Sequence, residues 1–331
     1  MAFSLFSTHN RILNLVINDH SIRLLELKQA KPPVPQRWNE RFLPPGIITD
    51  GKIVDRDSLS SILEECMDEW KISRRQVRFI VPDPLVIIRK VSIPADVQDD
   101  EIKGYLYLEM GSSIHLPFEE PLFDYYMLSN NGKNKELLLF AAPEQYVSEY
   151  VDLFSNIKLN PVAADISPLS LYRVYYHSDK AGRDDLLFSV QFDLTSVNLS
   201  IFEHSIPLVM RQFSLPFNMD HWEINRDVLG SIVCKYIGDT NELAAQFEDI
   251  FKEINKLLDF YRYTLNSEKQ EITKFLLNGD HPMLLAIFDE MKERFDIPVE
   301  LLTVEMEENN KHAKVPANHL LALGLALKGV Q

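Results

Sequence analysis

Glycine is scarce in this chain, at 11 of 331 residues, where an average usage of about 7% would give roughly 23. So few glycines leave little material for several glycine-rich phosphate loops. There is no G-x-x-x-x-G-K-[ST], since Gly46 to Lys52 is followed by Ile53, and there is no G-x-G-x-x-G and no G-x-S-x-G, which removes the common phosphate, dinucleotide and serine-hydrolase signatures. Cys66 and Cys234 are the only two cysteines, too few for a disulfide framework or a thiolate metal cluster, and in keeping with a reducing compartment. Histidines occur without H-x-x-x-H spacing, so no metal site is expected. Positive charge is also short: 34 Lys plus Arg stand against 49 Asp plus Glu, a net charge of -15. That balance repels a nucleic-acid backbone and anionic lipid headgroups. No run of about 18 apolar residues occurs, and the opening Met1 to Arg11 has neither a basic n-region nor an apolar h-region. A soluble chain is expected, reaching a membrane only through a partner.

What the chain does have is a 46% hydrophobic content, enough for two packed domains of roughly 150 residues, and a repeated strand-turn-strand unit. Leu13 to Leu27 and Phe188 to Phe202 both read as hairpins, and neither turn contains glycine. Between them lie a polar, proline-bearing stretch from Lys31 to Arg37 and a turn-rich segment from Leu43 to Asp55. A helix capped at Asp57 follows, with Leu59, Ile62, Leu63, Cys66, Met67 and Trp70 at helical spacing, and then a strand from Val77 to Val81. Residues 85–142 read as a compact αβ insert: a strand, a helix from about Asp99 to Ile114, and two strands joined by Asn130 to Asn134. Asp96, Asp99, Asp100 and Glu101 fit the first turn of that helix, where acids oppose the macrodipole, better than a catalytic carboxylate pair.

The first subdomain is expected to comprise 1–84 and 143–180, and a polar boundary at His177 to Asp185 precedes a second domain at 186–331 with a helical subdomain at about 218–265. Glu305 to Lys311 reads as a solvated loop, and Lys71, Arg74, Arg75 and Arg78 as a basic surface patch open to an acidic partner. Strands alternating with helices in both halves give an α/β class.

Gly46 to Asp55, His115 to Glu120 with Asp124, Asn160 to Leu169, Leu258 to Thr264 and Leu323 to Lys328, in that order and spacing, resemble the PilM-type type IV pilus assembly proteins, which share an actin-like (ribonuclease H-like) fold with the cell-division protein FtsA. The resemblance runs from about Leu13 to Leu327. It implies a two-domain actin-like fold with a small αβ insert, in a cytoplasmic protein that sits at the inner face of the cell membrane by holding the N-terminal tail of a PilN-type bitopic membrane protein. It further implies other pilus or secretion components as partners and a groove between first subdomain and insert. Ile88, Tyr105, Leu108 and Phe118 are its candidate lining, although each also fits the insert core.

In that family each phosphate hairpin carries an Asp-Ile-Gly-type turn, whose carboxylate acts on Mg²⁺ and whose glycine lets backbone N–H groups approach phosphate. Aligned without gaps on Leu24 and Leu199, the turns here read Val16-Ile17-Asn18 and Gln191-Phe192-Asp193, with Ser21 and Ser196 at the hydroxyl positions. A one-place gap instead puts Asp193 in the carboxylate position; no register supplies the glycine. The degenerate site therefore comprises Asn18, Asp19, Ser21, Asp193, Thr195, Ser196, Gly279 and Asp280. Side chains at those turns crowd the phosphates, and Asp193 repels them. The expectation is a pseudo-ATPase scaffold with no cofactor; the alternative is an ATP-binding, filament-forming relative with a divergent site.

Overall fold

The computed structural model describes residues 12–178, 180–182, 185–226, 232–265, 270–308 and 311–330. The first half runs through β1 (Leu13–Asn18), β2 (Ser21–Ala30), β3 (Pro33–Phe42), the short pair β4 (Ile48–Thr49) and β5 (Lys52–Ile53), α1 (Arg56–Glu69) and β6 (Gln76–Ile80). An insert follows, formed by β7 (Ile87–Pro94), α2 (Ile102–Glu109), β8 (Pro121–Asn130) and β9 (Asn134–Pro143). The chain returns through α3 (Glu144–Asn156), β10 (Asn160–Asp165) and α4 (Ser167–His177). The second half contains β11 (Leu186–Phe192), β12 (Ser196–Glu203), β13 (Ile206–Ser214), β14 (Trp222–Arg226), β15 (Ile232–Tyr236), α5 (Thr240–Phe260), β16 (Lys274–Asn278), α6 (Leu284–Arg294), β17 (Val299–Leu301), β18 (Glu305–Glu308), β19 (Lys311–Lys314) and α7 (Leu320–Ala326).

Two sheets share one plan. Their strand orders are β10-β6-β1-β2-β3 and β17-β16-β11-β12-β13. In each, the opening strand pairs antiparallel with its hairpin partner and parallel with a strand reached through helices. Both sheets are buried on both faces, which is why their central strands read as nearly continuous apolar runs. Leu13, Leu15 and Ile17 face α1 and α3, while Val16 turns to the opposite layer. Phe188, Val190 and Phe192 face α5 and α6, while Leu187 turns back toward α4 and α7. Helices α4 and α7 thus fill the space between the sheets, giving five layers. The insert has its own core, with Ile102 and Leu106 of α2 packed on Val91, Ile93, Leu137 and Leu139.

Several local expectations change. The proline-bearing stretch is the start of β3, tolerated because β3 is the edge of its sheet and prolines need not donate to a ladder there. Helix α1 is capped by Asp55 rather than Asp57: its carboxylate accepts the Ser58 amide at 3.0 Å. The insert helix begins only at Ile102 and stops at Glu109, since Met110 is extended and Gly111 turns the chain at φ +87°. The acidic cluster accordingly precedes the helix, and Asp99 pairs with Lys135 at 2.6 Å. The segment at 218–265 opens with the β14–β15 hairpin before its long helix. Glu305–Glu308 is a strand paired with Lys311–Lys314 rather than a loop. Within the basic patch, Arg75 pairs with Glu26 at 2.8 Å, and Arg78 donates to the carbonyls of Leu325 and Ala326.

At the crossing of α4 and α7 a side chain on Gly324 would put its Cβ 1.8 Å from the Ser170 carbonyl oxygen. Gly324→Ala is expected to lower stability by about 1–3 kcal/mol through forced separation of the two helices. Gly104→Ala, on the exposed side of α2 with nothing within 4 Å of the new Cβ, is expected to raise it by about 0.5–1 kcal/mol. Urea denaturation of the two variants checks both signs.

Candidate functional site

The two hairpins superimpose position for position. Val16 pairs with Arg23 and Ile17 with Ile22; Gln191 pairs with Asn198 and Phe192 with Val197. The Asn18–Ser21 corner is matched by Asp193, whose amide donates to the Ser196 carbonyl at 2.8 Å. Asn18 therefore corresponds to Asp193 and Val16 to Gln191. Between the two hairpins this is the gap-free correspondence.

Each turn region holds one of the chain's own carboxylates. Asp19 accepts the amides of Asp50 (2.7 Å) and Gly51 (3.0 Å); burial raises its pKa despite those bonds. Asp280 sits where the hairpins meet. Its Oδ1 accepts the Leu194 amide of the second turn at 2.7 Å, and its Oδ2 lies 2.9 Å from His20 Nε2 and 2.5 Å from Arg23 Nη2 of the first hairpin. Burial alone would raise the Asp280 pKa; Arg23, then His20, outweigh it and hold the carboxyl well below the usual carboxylate range. Arg23 also holds Glu40 at 2.6 Å, and Asn318 donates to the other Glu40 oxygen at 2.8 Å. His20 Nδ1 and Thr195 Oγ1, one from each turn, are 3.2 Å apart.

Beside this cluster Asp193 is held by Gln191 Nε2 at 2.5 Å and by the Asp280 amide at 3.1 Å. Burial, then the charge of Asp280, push its pKa up to about 8. Gly279 is needed here for contact: at φ +127°, a Cβ would lie 2.0 Å from the Phe192 carbonyl oxygen. The buried oxygens Gln191 Oε1 and Asn278 Oδ1 have no protein partner. Both residues line a void of about 10 Å³, room for one water.

In front of the turns lies a cleft of about 270 Å³, lined by both hairpins, Thr49, Pro82, Gln212, Ser214 and Phe217. Asp19, Asp50, Asp83 and Asp193 line it, with neither lysine nor arginine. Asp83, taken up to about 6 by burial against hydrogen bonds from Ser167 and Asn198, adds a second partly protonated carboxyl. No group of three or more His, Cys, Asp or Glu among the described residues is arranged to hold a metal.

The residues singled out from the hairpins do converge: Asn18, Asp19, Asp193, Thr195 and Ser196 line the cleft, Gly279 and Asp280 close its floor, and Ser21 faces an adjoining cavity. Ile88, Tyr105, Leu108 and Phe118 do not share one surface. Tyr105 and Phe118 pack against the insert core. Leu108 is 78% exposed on α2, and Ile88 pairs with Phe140 across the insert sheet. Sequence reading passed over Arg23, Glu40 and Asn318 and left His20 among scattered histidines. The available signal was Arg23 itself, a charge within the strand run Ile22-Arg23-Leu24-Leu25 that is buried on both faces.

The family model described as type IV pilus assembly protein PilM matches residues 15–212. Among solved structures, a PilM-PilN type IV pilus biogenesis complex aligns at TM-score 0.75 and 19% identity, covering 97% of this chain and 99% of that one. MreB5 of Spiroplasma citri bound to AMPPNP aligns at TM-score 0.51 and 9% identity, covering 96% of this chain and 95% of that one. These likenesses establish a two-domain actin-like fold.

The carboxyls of Asp193 and Asp83, with values of about 8 and about 6, bind protons in the folded state that the unfolded chain has already released. Where the native state binds more protons, stability falls as pH rises. Burial holds His281 and His319 down to about 4, so below about pH 6.5 they offset the two carboxyls. Stability is therefore expected to decline chiefly between about pH 6.5 and pH 8, through Asp193, by up to about 1.4 kcal/mol per pH unit, and to level off above. Asp193→Asn is expected to flatten the decline and to be the more stable protein at pH 9; urea midpoints at pH 5, 7 and 9 check this.

Proposed function

The chain belongs to the family of the type IV pilus assembly protein PilM, and on that premise we propose that it is a non-catalytic scaffold binding the cytoplasmic N-terminal tail of a PilN-type bitopic membrane protein. The observation that carries the non-catalytic reading is the Asp280 carboxylate between the two hairpins, bound to the Leu194 amide, His20 and Arg23. Backbone amides at such turns are the natural donors to phosphate oxygens. Here Leu194 donates to Asp280, while Asp50 and Gly51 donate to Asp19. The open cleft in front presents carboxylates without a lysine or arginine. A triphosphate with its magnesium does not fit these residues as they stand.

The insert supports the binding half of the reading. On the sheet face away from α2, Ile88 lies beside Phe140, and Leu122 and Tyr126 are exposed by 48% and 52%. An extended tail could lay apolar side chains along that row while its backbone meets the edge of the insert sheet. No helix among the described residues is long and apolar enough to cross a membrane; a tail held in this way would place the protein at the inner face of the cell membrane. A solved structure of similar fold is a PilM-PilN type IV pilus biogenesis complex, which supports a PilN-type partner.

Synthetic N-terminal tails of PilN-type proteins from the same cell are expected to bind the purified protein in fluorescence anisotropy, with Ile88→Asp weakening the binding at least tenfold. Absence of binding by every such tail overturns the scaffold reading. Mg-ATP is expected to leave the thermal unfolding temperature unchanged, whereas a ligand at 100 times its dissociation constant would add about 2.7 kcal/mol. A clear upward shift would favour the second reading, an ATP-binding filament former, for which the retained cleft and the likeness to MreB5 speak.

A further inference from the structure

Two of the places where the halves meet have opposite chemistry. One is apolar: α4 and α7 are buried between the sheets, with Leu171, Val174, Leu323 and Leu325 packed against Val16 and Leu25 on one side and Leu187 and Leu276 on the other. The other is ionic and lies at the hairpin turns. Its residues are almost fully withdrawn from water, with side-chain exposures of 7% for Arg23, 5% for Glu40, 5% for His20 and 4% for Asp280.

Following the bonds one by one gives a circuit that crosses the seam three times. Asn318 of the second half donates to Glu40 of the first. Glu40 holds Arg23 of its own half, and Arg23 crosses back to Asp280. Asp280 is tied to its own half by the Leu194 amide and to the first half again by His20. Separating the halves would strip Asp280 and Glu40 of their crossing partners while the surrounding walls still shield them from water. An unpartnered buried charge is the costly case, far more so than an ion pair on the surface. The apolar seam sets the spacing of the halves through the close approach of Gly324 to Ser170, and the bonds that cross it from Arg78 and Arg173 to the carbonyls of α7 are longer, at 3.4 and 3.3 Å.

We propose that the Arg23–Asp280 circuit is a latch that holds the two halves closed about the α4–α7 layer, so that fixed side chains set the inter-half angle at a seam where a ligand could otherwise do so. The latch is independent of which partner the insert holds. Other bonds also cross between the halves, among them Ser214 Oγ to Asp50 Oδ1 at 2.8 Å and Tyr172 to Ser205 at 2.9 Å, both in exposed positions where water competes, and His319 Nε2 with the Asn39 carbonyl at 3.2 Å.

The test places spin labels on the outermost layers of the full chain, at exposed Glu64 of α1 and exposed Glu293 of α6, in a Cys234→Ser background; Cys66 is fully buried and stays unlabelled. The parent is expected to give one narrow distance distribution. Arg23→Met combined with Glu40→Gln and Asp280→Asn removes all three charges together, so none is left unpaired. That variant is expected to raise the ratio of open to closed molecules at least tenfold, about 1.4 kcal/mol, while keeping the parent's helical signal and a cooperative unfolding transition. An unchanged distance distribution in the folded variant overturns the latch. Should the triple variant not fold, Asp280→Asn alone keeps an acceptor for the Leu194 amide and removes only the charge; the same widening is expected, and its absence is equally decisive.

Discussion

The middle layer governs the rest of the molecule. Helices α4 and α7 must cover apolar faces of two sheets at once, and they can do so only by crossing closely, with Gly324 against the Ser170 carbonyl. That contact fixes the spacing of the sheets. Because β1–β2 and β11–β12 occupy equivalent places in their sheets, fixing the spacing also fixes where the two hairpin turns meet. The polar cluster of His20, Arg23, Thr195 and Asp280 is a consequence of apolar packing some distance away.

What the turns then do depends on a few side chains. The two hairpins keep the same backbone pairing, residue for residue. The chemistry of the turns is set by what stands there: one carboxylate accepting amides at each turn, a charged trio under the cleft, and a second layer of carboxyls raised toward neutrality by burial. In a dry interior, desolvation and neighbouring charge decide which carboxyl is ionised. Asp280 and Asp193 are neighbours with opposite outcomes because Arg23 and His20 reach one of them most directly.

Much of the fold was legible because both sheets are two-sided. Continuous apolar runs such as Leu15 to Ile17 and Phe275 to Leu277 are strands in any register, and the duplicated hairpin revealed the pseudo-symmetry. Elements whose identity depends on tertiary surroundings were harder. β3 contains Pro33 and Pro35 and is a strand only because it lies at an edge. The insert helix is shortened by Gly111, and β18–β19 has no apolar pattern in Glu305–Glu308. The cleft residues were found through homology of the two turns. Arg23, Glu40 and Asn318 were missed because their partnership joins positions far apart in the chain, which no local pattern encodes. The scatter of Ile88, Leu108, Tyr105 and Phe118 has the same origin, since apolar character alone does not say which face of a small sheet a residue occupies.

The prolines at the start of β3 bear on how copies of this protein can meet. An edge strand offers a row of N–H and C=O groups on which a foreign strand can grow, and proline breaks that row. With Pro33 and Pro35 at the outer edge of the first sheet, its leading part cannot template continuous strand addition. Copies of the chain at high concentration then run less danger of runaway sheet growth from that edge, and association there has to be written in side chains.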